Sequence, residues 1–324
     1  MKKIVAFVAG DPDSINSEII AKTWKKRNIS KNLNMFIIGN YNLIRKQFKI
    51  LKIKINIKKL ESFRKNDFKK SMLVYNVPFK FKNAFKNTAN GKRKYILNSL
   101  NLGIKLVKEK KIVGFINCPI NKREVFGNTN LGVTEYLAKK FKVTGKEAML
   151  IYNKNLSVSP LTTHIQIKKI AGSITKKNIE NKIITINNFF YKTLKIKPKI
   201  GVLGLNPHNY ELRNNSEEKK IIIPVIKKVR NKGIKITGPI PADTAFLKNN
   251  RKKFNVILGM YHDQVLSPFK ALYNFDAINI TLGIPYLRIS PDHGTGQDII
   301  KKNIANPESL IESIKFFKKV NVKS

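Results

Sequence analysis

Residues 200–208 read IGVLGLNPH, and residues 256–264 read VILGMYHDQ. Each is a short, continuously apolar run that stops at a polar cluster containing a histidine. A run of five or six apolar residues without alternation has the length of a strand and the pattern of one covered on both faces, as in a parallel sheet. Outward from these two, the same pattern recurs at residues 4–9, before Asp11-Pro12-Asp13, and at residues 112–118, which lead into Asn121-Lys122. Residues 35–38, 148–152 and 277–282 complete the expected strands. Helical spacing predicts helices over residues 17–26, 41–48, 95–108, 134–141, 217–231 and 307–318. Residues 60–93, rich in Lys, Asn and Phe, read as an irregular surface excursion. Strands separated by helices predict an α/β fold with mostly parallel sheets and helices on both faces. In such sheets ligands sit beyond the carboxyl ends of the strands, and that is where the polar clusters fall.

A chain of 324 residues fits two α/β lobes and can bury a large core without disulfides. Its one cysteine, Cys118, excludes an intrachain disulfide and suits a reducing compartment, so a cytoplasmic location is expected. Cys118 itself reads as a small buried residue rather than a nucleophile. No run of 18 apolar residues exists to span a membrane. The formal net charge of +44 is extreme. The basic residues, however, are spread along the whole chain, interleaved with Asn and Ile. No helix-turn-helix, zinc finger or aromatic RNA-binding motif accompanies them. The charge is read as compositional bias that draws anionic substrates, with no specific nucleic-acid partner.

Four histidines occur: His164, His208, His262 and His293. Any one of the first three, read alone, is structural. Three of them near strand ends in a His-poor chain point instead to a divalent metal, with Asp243 and Asp263 as possible carboxylate partners. Lys270, eight residues after His262, reads alone as a solvated lysine in this lysine-rich chain, whereas Arg288, next to the Asp292-His293-Gly294-Thr295-Gly296 turn, suits phosphate or carboxylate. The glycines of that turn would let backbone amides approach an anion or nucleotide. There is no G-x-G-x-x-G fingerprint and no P-loop.

Taken together, these segments resemble the 4-hydroxythreonine-4-phosphate dehydrogenase family. The likeness rests on Gly10-Asp11-Pro12, Pro119-Ile120-Asn121-Lys122, Gly132-Val133-Thr134-Glu135 and Thr162-Thr163-His164. It continues through Gly204-Leu205-Asn206-Pro207-His208, Pro241-Ala242-Asp243-Thr244, Tyr261-His262-Asp263-Gln264, Asn279-Ile280-Thr281-Leu282-Gly283 and Asp292-His293-Gly294-Thr295. The resemblance implies a two-lobed fold like that of isocitrate and isopropylmalate dehydrogenases, with a cleft between the lobes. Residues 1–125 with 290–324 would form one lobe and residues 126–289 the other. It implies NAD or NADP and one divalent ion (Zn, Mg or Co) as cofactors, a homodimer, and a small phosphorylated substrate. His164, His208 and His262 would hold the metal. Thr134, Lys270, Asn279 and Arg288 would bind substrate, and His293, Gly294 and Thr295 the cofactor. Asp243, Asp263 and Lys122 would be the catalytic candidates. The implied reaction oxidises the secondary alcohol of 4-phosphooxy-L-threonine to a β-keto acid that loses CO2, giving 3-amino-2-oxopropyl phosphate for pyridoxal phosphate. Several departures bear on substrate: Val133 stands where the family carries a substrate-binding histidine, the loop Asp13-Ser14-Ile15-Asn16-Ser17 has fewer glycines than the family's, Asn209-Tyr210 replace small residues after His208, and Val265 replaces a glycine after Gln264. Another phosphorylated or carboxylated hydroxy acid is the alternative substrate class. A nucleic-acid-binding protein and a catalytically eroded paralogue are the other two readings.

Overall fold

Among the described residues, twelve strands run in chain order: β1 (Lys3–Val8), β2 (Leu33–Gly39), β3 (Ile57–Lys59), β4 (Met72–Asn76), β5 (Gly114–Asn117), β6 (Ala148–Tyr152), β7 (Ser157–Pro160), β8 (Ile200–Leu203), β9 (Ile236–Ile240), β10 (Val256–Gly259), β11 (Ile278–Leu282) and β12 (Leu287–Pro291). The computed structural model describes residues 2–26, 28, 33–63, 68, 71–127, 132–274 and 276–320. The chain divides into two compact units, Met1–Thr129 with Tyr286–Ser324, and Asn130–Pro285.

In the first unit the strand order is β3-β4-β2-β1-β5-β12, and every pair is parallel. The central strand β1 buries Val5, Ala6, Phe7 and Val8, as continuous apolar runs do when helices cover both faces of a sheet. The helix Ala89–Lys108 buries Tyr95, Ile96, Ser99, Leu100, Gly103 and Ile104, the three-to-four spacing of one helical face. At Gly103 an added Cβ would stand 3.3 Å from the Phe115 ring, so glycine lets this helix lie close on β5. Asn40 starts the helix Tyr41–Ile50: its side-chain oxygen accepts from Leu43 N, the usual cap for an orphan amide.

Two expectations need correction here. Residues 60–93 are not an irregular excursion throughout. They contain β4, which pairs with β2 and β3, and the start of the helix Ala89–Lys108, six residues earlier than the apolar spacing placed it. Met72, Leu73 and Val74 are an apolar run of only three, and the flanking lysines and asparagines reflect composition, not local structure. The helix Lys176–Phe189 was missed outright. It buries Ile179, Ile183 and Ile186 at helical spacing, but its β-branched residues and asparagines have poor helix propensity, and packing overrides that preference.

In the second unit the order is β11-β6-β7-β10-β8-β9. The pairs β11–β6 and β6–β7 are antiparallel, and β7–β10, β10–β8 and β8–β9 are parallel. Its core gathers Ile151, Val158, Leu203, Ile257, Val265 and Phe269. Among the described residues no helix is long and apolar enough to cross a membrane.

Candidate active site at the strand ends

Four adjacent strands of the second unit, β7, β10, β8 and β9, point the same way, so their carboxyl ends form one edge. His164 stands four residues beyond β7, His262 three beyond β10, His208 five beyond β8 and Asp243 three beyond β9. Past their last strand residues, β7 and β10 stay zipped. Leu161 N donates to Gly259 O at 2.8 Å, and Thr162 donates to Met260 O through both its amide and its hydroxyl. That continued pairing brings His164 and His262 together, with ring centroids 5.8 Å apart. Two imidazoles sharing a tetrahedral ion through bonds of about 2 Å would place their centroids about 5 Å apart. The donor chemistry and spacing of this pair fit a divalent cation. His262 Nδ1 lies 2.6 Å from Asp263 Oδ1, the carboxylate contact that fixes the tautomer of a ligating imidazole and leaves Nε2 for coordination. The residue before His164 is anchored: Thr163 Oγ1 donates to Glu135 Oε1 at 3.2 Å, and Glu135 Oε2 accepts from Gly132 N at 2.9 Å.

His208 does not join them in the same way. Among the described residues no group of three or more His, Cys, Asp or Glu could hold a metal ion. His208 begins a left-handed stretch: His208, Asn209, Tyr210, Glu211 and Leu212 have φ between 47° and 57°. Each such residue costs roughly 1–2 kcal/mol, so the stretch needs outside support. Asn209, which is buried, donates to Pro239 O at 3.2 Å. The Arg213 guanidinium lies 4.8 Å over the Tyr210 ring. Glu218, fully buried, accepts from Leu205 N at 2.8 Å and Asn206 N at 2.9 Å. Burial pushes its carboxyl pKa up, but the hydrogen bonds from Asn206 and Leu205 outweigh that and hold it below the ordinary value.

The substrate candidates of this unit fall on two elements. Thr134 is buried in the first turn of the helix Val133–Lys140, with its hydroxyl 3.0 Å from that of Thr281. Thr281 and Asn279 are two apart on β11 and so share a face. Asn279 Oδ1 is buried with no hydrogen-bond partner, an orphan acceptor suited to a substrate donor. Val133 is 4% exposed, an apolar residue packed at the same helix start. Lys270 is half-buried on the helix His262–Tyr273. Asp243 and Asp263 are exposed.

The remaining candidates belong to the first unit. Arg288 is 3% exposed, and its Nε donates to Asn117 Oδ1 at the end of β5. Lys122 is exposed at the start of the helix Lys122–Phe126. His293 Nδ1 lies 2.9 Å from Gly294 O. Gly294 is exposed, with open space where a side chain would stand, which fits close approach of a nucleotide. Thr295 O accepts from Ile15 N at 3.0 Å. Cys118 is fully buried, and burial pushes its thiol pKa up, so it is inert as a nucleophile.

Sequence reasoning gave no role to Thr281, Glu135, Glu218, Asn117 or Gln264. Only Glu135 carried a readable signal, three residues after Gly132 at a helix start.

The arrangement has counterparts among known proteins. The family described as pyridoxal phosphate biosynthetic protein PdxA matches residues 31–317. A 4-hydroxythreonine-4-phosphate dehydrogenase of Sulfurihydrogenibium sp. (strain YO3AOP1) is 41% identical over 320 residues, covering 96% of each chain. The crystal structure of a 4-hydroxythreonine-4-phosphate dehydrogenase from Klebsiella pneumoniae superposes with TM-score 0.82 at 27% identity, covering 97% of this chain and 98% of that one. Isocitrate dehydrogenase from Methylococcus capsulatus shares the fold at TM-score 0.51 and 11% identity, covering 98% of this chain and 85% of that one. With most of its length matched and its strand-end histidines in the segments that first suggested the likeness, the chain belongs to the PdxA family of pyridoxal phosphate biosynthetic proteins.

Proposed function

We propose that the chain is a 4-hydroxythreonine-4-phosphate dehydrogenase of pyridoxal phosphate biosynthesis, oxidising the secondary alcohol of 4-phosphooxy-L-threonine. The observation that carries this reading is the row of His164, His262, His208 and Asp243 at the ends of four adjacent parallel strands, in a member of this family. His164, His208 and His262 are assigned to one divalent ion of the Zn, Mg or Co kind. When bound, the ion supplies Lewis acidity at the substrate hydroxyl, and a nicotinamide cofactor, NAD or NADP, supplies the hydride acceptor.

The chain's own groups do the rest. Asp263 orients His262. Thr134, backed by Thr281, and Asn279, with its orphan oxygen, hold the polar groups of the substrate. Lys270 and Arg288 take its anionic ends, which orients the alcohol for reaction. Asp263 is engaged by its neighbour, so Asp243 is the carboxylate that receives the hydroxyl proton, with Lys122 the alternative. The backbone at His293, Gly294 and Thr295 approaches the nucleotide. The working form is a homodimer. Support comes from Ile165, Ile167, Tyr210, Leu212, Leu247 and Leu272, all exposed and all close in sequence to His164, His208, Asp243 and Lys270.

Val133 favours a second reading, the same chemistry on another phosphorylated or carboxylated hydroxy acid, because the apolar side chain offers no hydrogen bond there. The test is nicotinamide reduction, followed by absorbance, with 4-phosphooxy-L-threonine, with and without a chelator. Chelator-sensitive reduction restored by a divalent metal supports the first reading. No reduction with this substrate, but reduction with another member of a phosphorylated hydroxy-acid panel, selects the second.

A further inference from the structure

The strands β10 and β8 part at a defined point. Their register pairs Val256 with Ile200, Ile257 with Gly201 and Leu258 with Val202. Continued by two residues, it would set Met260 opposite Gly204. In a parallel ladder the residues opposite each other bond to their partners' neighbours and not to one another. Here the side-chain amide of Gln264 stands between them: Met260 N donates to Gln264 Oε1 at 2.7 Å, and Gln264 Nε2 donates to Gly204 O at 2.8 Å. The amide links the two strand ends through one hydrogen bond to each. On the other side of β10 no such spacer occurs, and Leu161 and Thr162 bond directly to Gly259 and Met260. The asymmetry matches the histidines: His164 and His262 meet across the zipped side, while His208 lies across the spaced side. Gly204 is also where the His208 segment is gripped. A Cβ there would collide with Asn209 Oδ1 and stand 3.1 Å from Glu218 Oε1.

We propose that Gln264 is a positioning residue that sets the distance from the His164–His262 pair to His208, and so the size of the opening in which the three imidazoles meet a metal. The inference rests on the metal reading given above. A competing role is local. Gln264 sits in the first turn of the helix His262–Tyr273, where a glutamine or glutamate commonly returns to a backbone amide as a cap.

The two roles separate in Gln264→Glu. Glutamate keeps an acceptor for Met260 N and suits a helix N-terminus, but it has no donor for Gly204 O and sets a carboxylate against that carbonyl. A capping role predicts wild-type behaviour. The spacer role predicts metal affinity about 10- to 100-fold weaker, the usual cost of losing a group that orients metal ligands. The experiment titrates chelator-stripped full-length wild type, Gln264→Glu and Gln264→Leu with Zn2+ alone by calorimetry, and melts each protein in chelator. Weaker Zn2+ binding by Gln264→Glu, with its metal-free melting point within a few degrees of wild type, supports the proposal. Zn2+ binding by Gln264→Glu equal to wild type overturns it and leaves Gln264 a cap, whatever Gln264→Leu does. Absence of Zn2+ binding by the wild type overturns the metal reading and the spacer with it, an outcome distinct from the previous one.

Discussion

His164 and His262 share one feature that a structural histidine lacks: both rings are solvent-accessible and face each other across zipped strand ends. Replacing either with alanine should therefore leave the core untouched and remove turnover. We expect His164→Ala and His262→Ala each to lower kcat/KM at least 100-fold, about 2.7 kcal/mol in barrier, in metal-reloaded enzyme. Activity within threefold of wild type would sink the assignment. Glu218 makes a different prediction, in stability. Its carboxyl pKa is held below the ordinary 4.5 by the hydrogen bonds that overcome its burial. A group with a lowered folded-state pKa contributes stability that is full above its unfolded pKa and is lost as pH falls through the folded value. Wild type should therefore exceed Glu218→Gln in resistance to urea at about pH 7, and the difference should shrink only as pH falls below 4.5. A difference that grows on acidification would contradict the hydrogen-bonded carboxylate. At this scale the sequence was readable where a residue type is chemically rare. Four histidines in 324 residues stood out. Gln264 and Glu218 did not, because their work consists of hydrogen bonds to backbone groups, and nothing in a sequence marks which backbone groups strand parting leaves open.

Elements of this chain form where packing requires them, with capping residues settling their ends. Asn40 and Thr175 both cap helices, but in different surroundings. Thr175, exposed, accepts from Asn178 N at 3.2 Å. Asn40, 6% exposed, accepts from Leu43 N at 2.9 Å and also donates to Val77 O at 3.0 Å. Thr175→Ala should cost about 1 kcal/mol, the ordinary value of a cap. Asn40→Ala should cost roughly 2–3 kcal/mol, because it also strands a buried carbonyl. Chemical unfolding of the two variants checks the order, and equal losses would mean that Val77 finds another donor. The same contrast explains what could be read ahead of the structure. Strands β6, β8 and β10 announced themselves as unbroken apolar runs. β4 and the helix Lys176–Phe189 were hidden because lysine, asparagine and isoleucine fill both strand and helix surfaces in this chain, so composition carried no local signal. Strand β7 was hidden for a different reason: Ser157-Val158-Ser159-Pro160 is fully buried yet mostly polar or cyclic, and only its partners on either side make it a strand.

At the scale of the whole molecule, the exposed apolar residues near the site and the net charge of +44 each make a claim. Ile167 is 82% exposed. If the surface around it is where two copies meet, Ile167→Asp should shift the protein toward monomer in sedimentation and make its melting point lower and less dependent on protein concentration; an unchanged dimer would move the interface elsewhere. The charge bears on partners. Lysines spread along the whole sequence attract any polyanion, and with no nucleic-acid motif among them binding to nucleic acid should come from counterion release alone. In that case affinity falls steeply with salt: a contact of six to ten phosphates loses about 10³- to 10⁵-fold between 50 and 200 mM. The protein should retard a random DNA duplex at about 50 mM salt, release it by about 200 mM, and show no preference among duplexes of different sequence. Retention above that salt, or a preference for one duplex sequence over another, would mean that some of these lysines are arranged and not merely abundant. The charge would then be a second function of the chain. Release on schedule leaves it one physical consequence, a positive potential that raises the local concentration of a phosphorylated substrate around the strand ends. That potential predicts a kcat/KM that declines with ionic strength while kcat stays level.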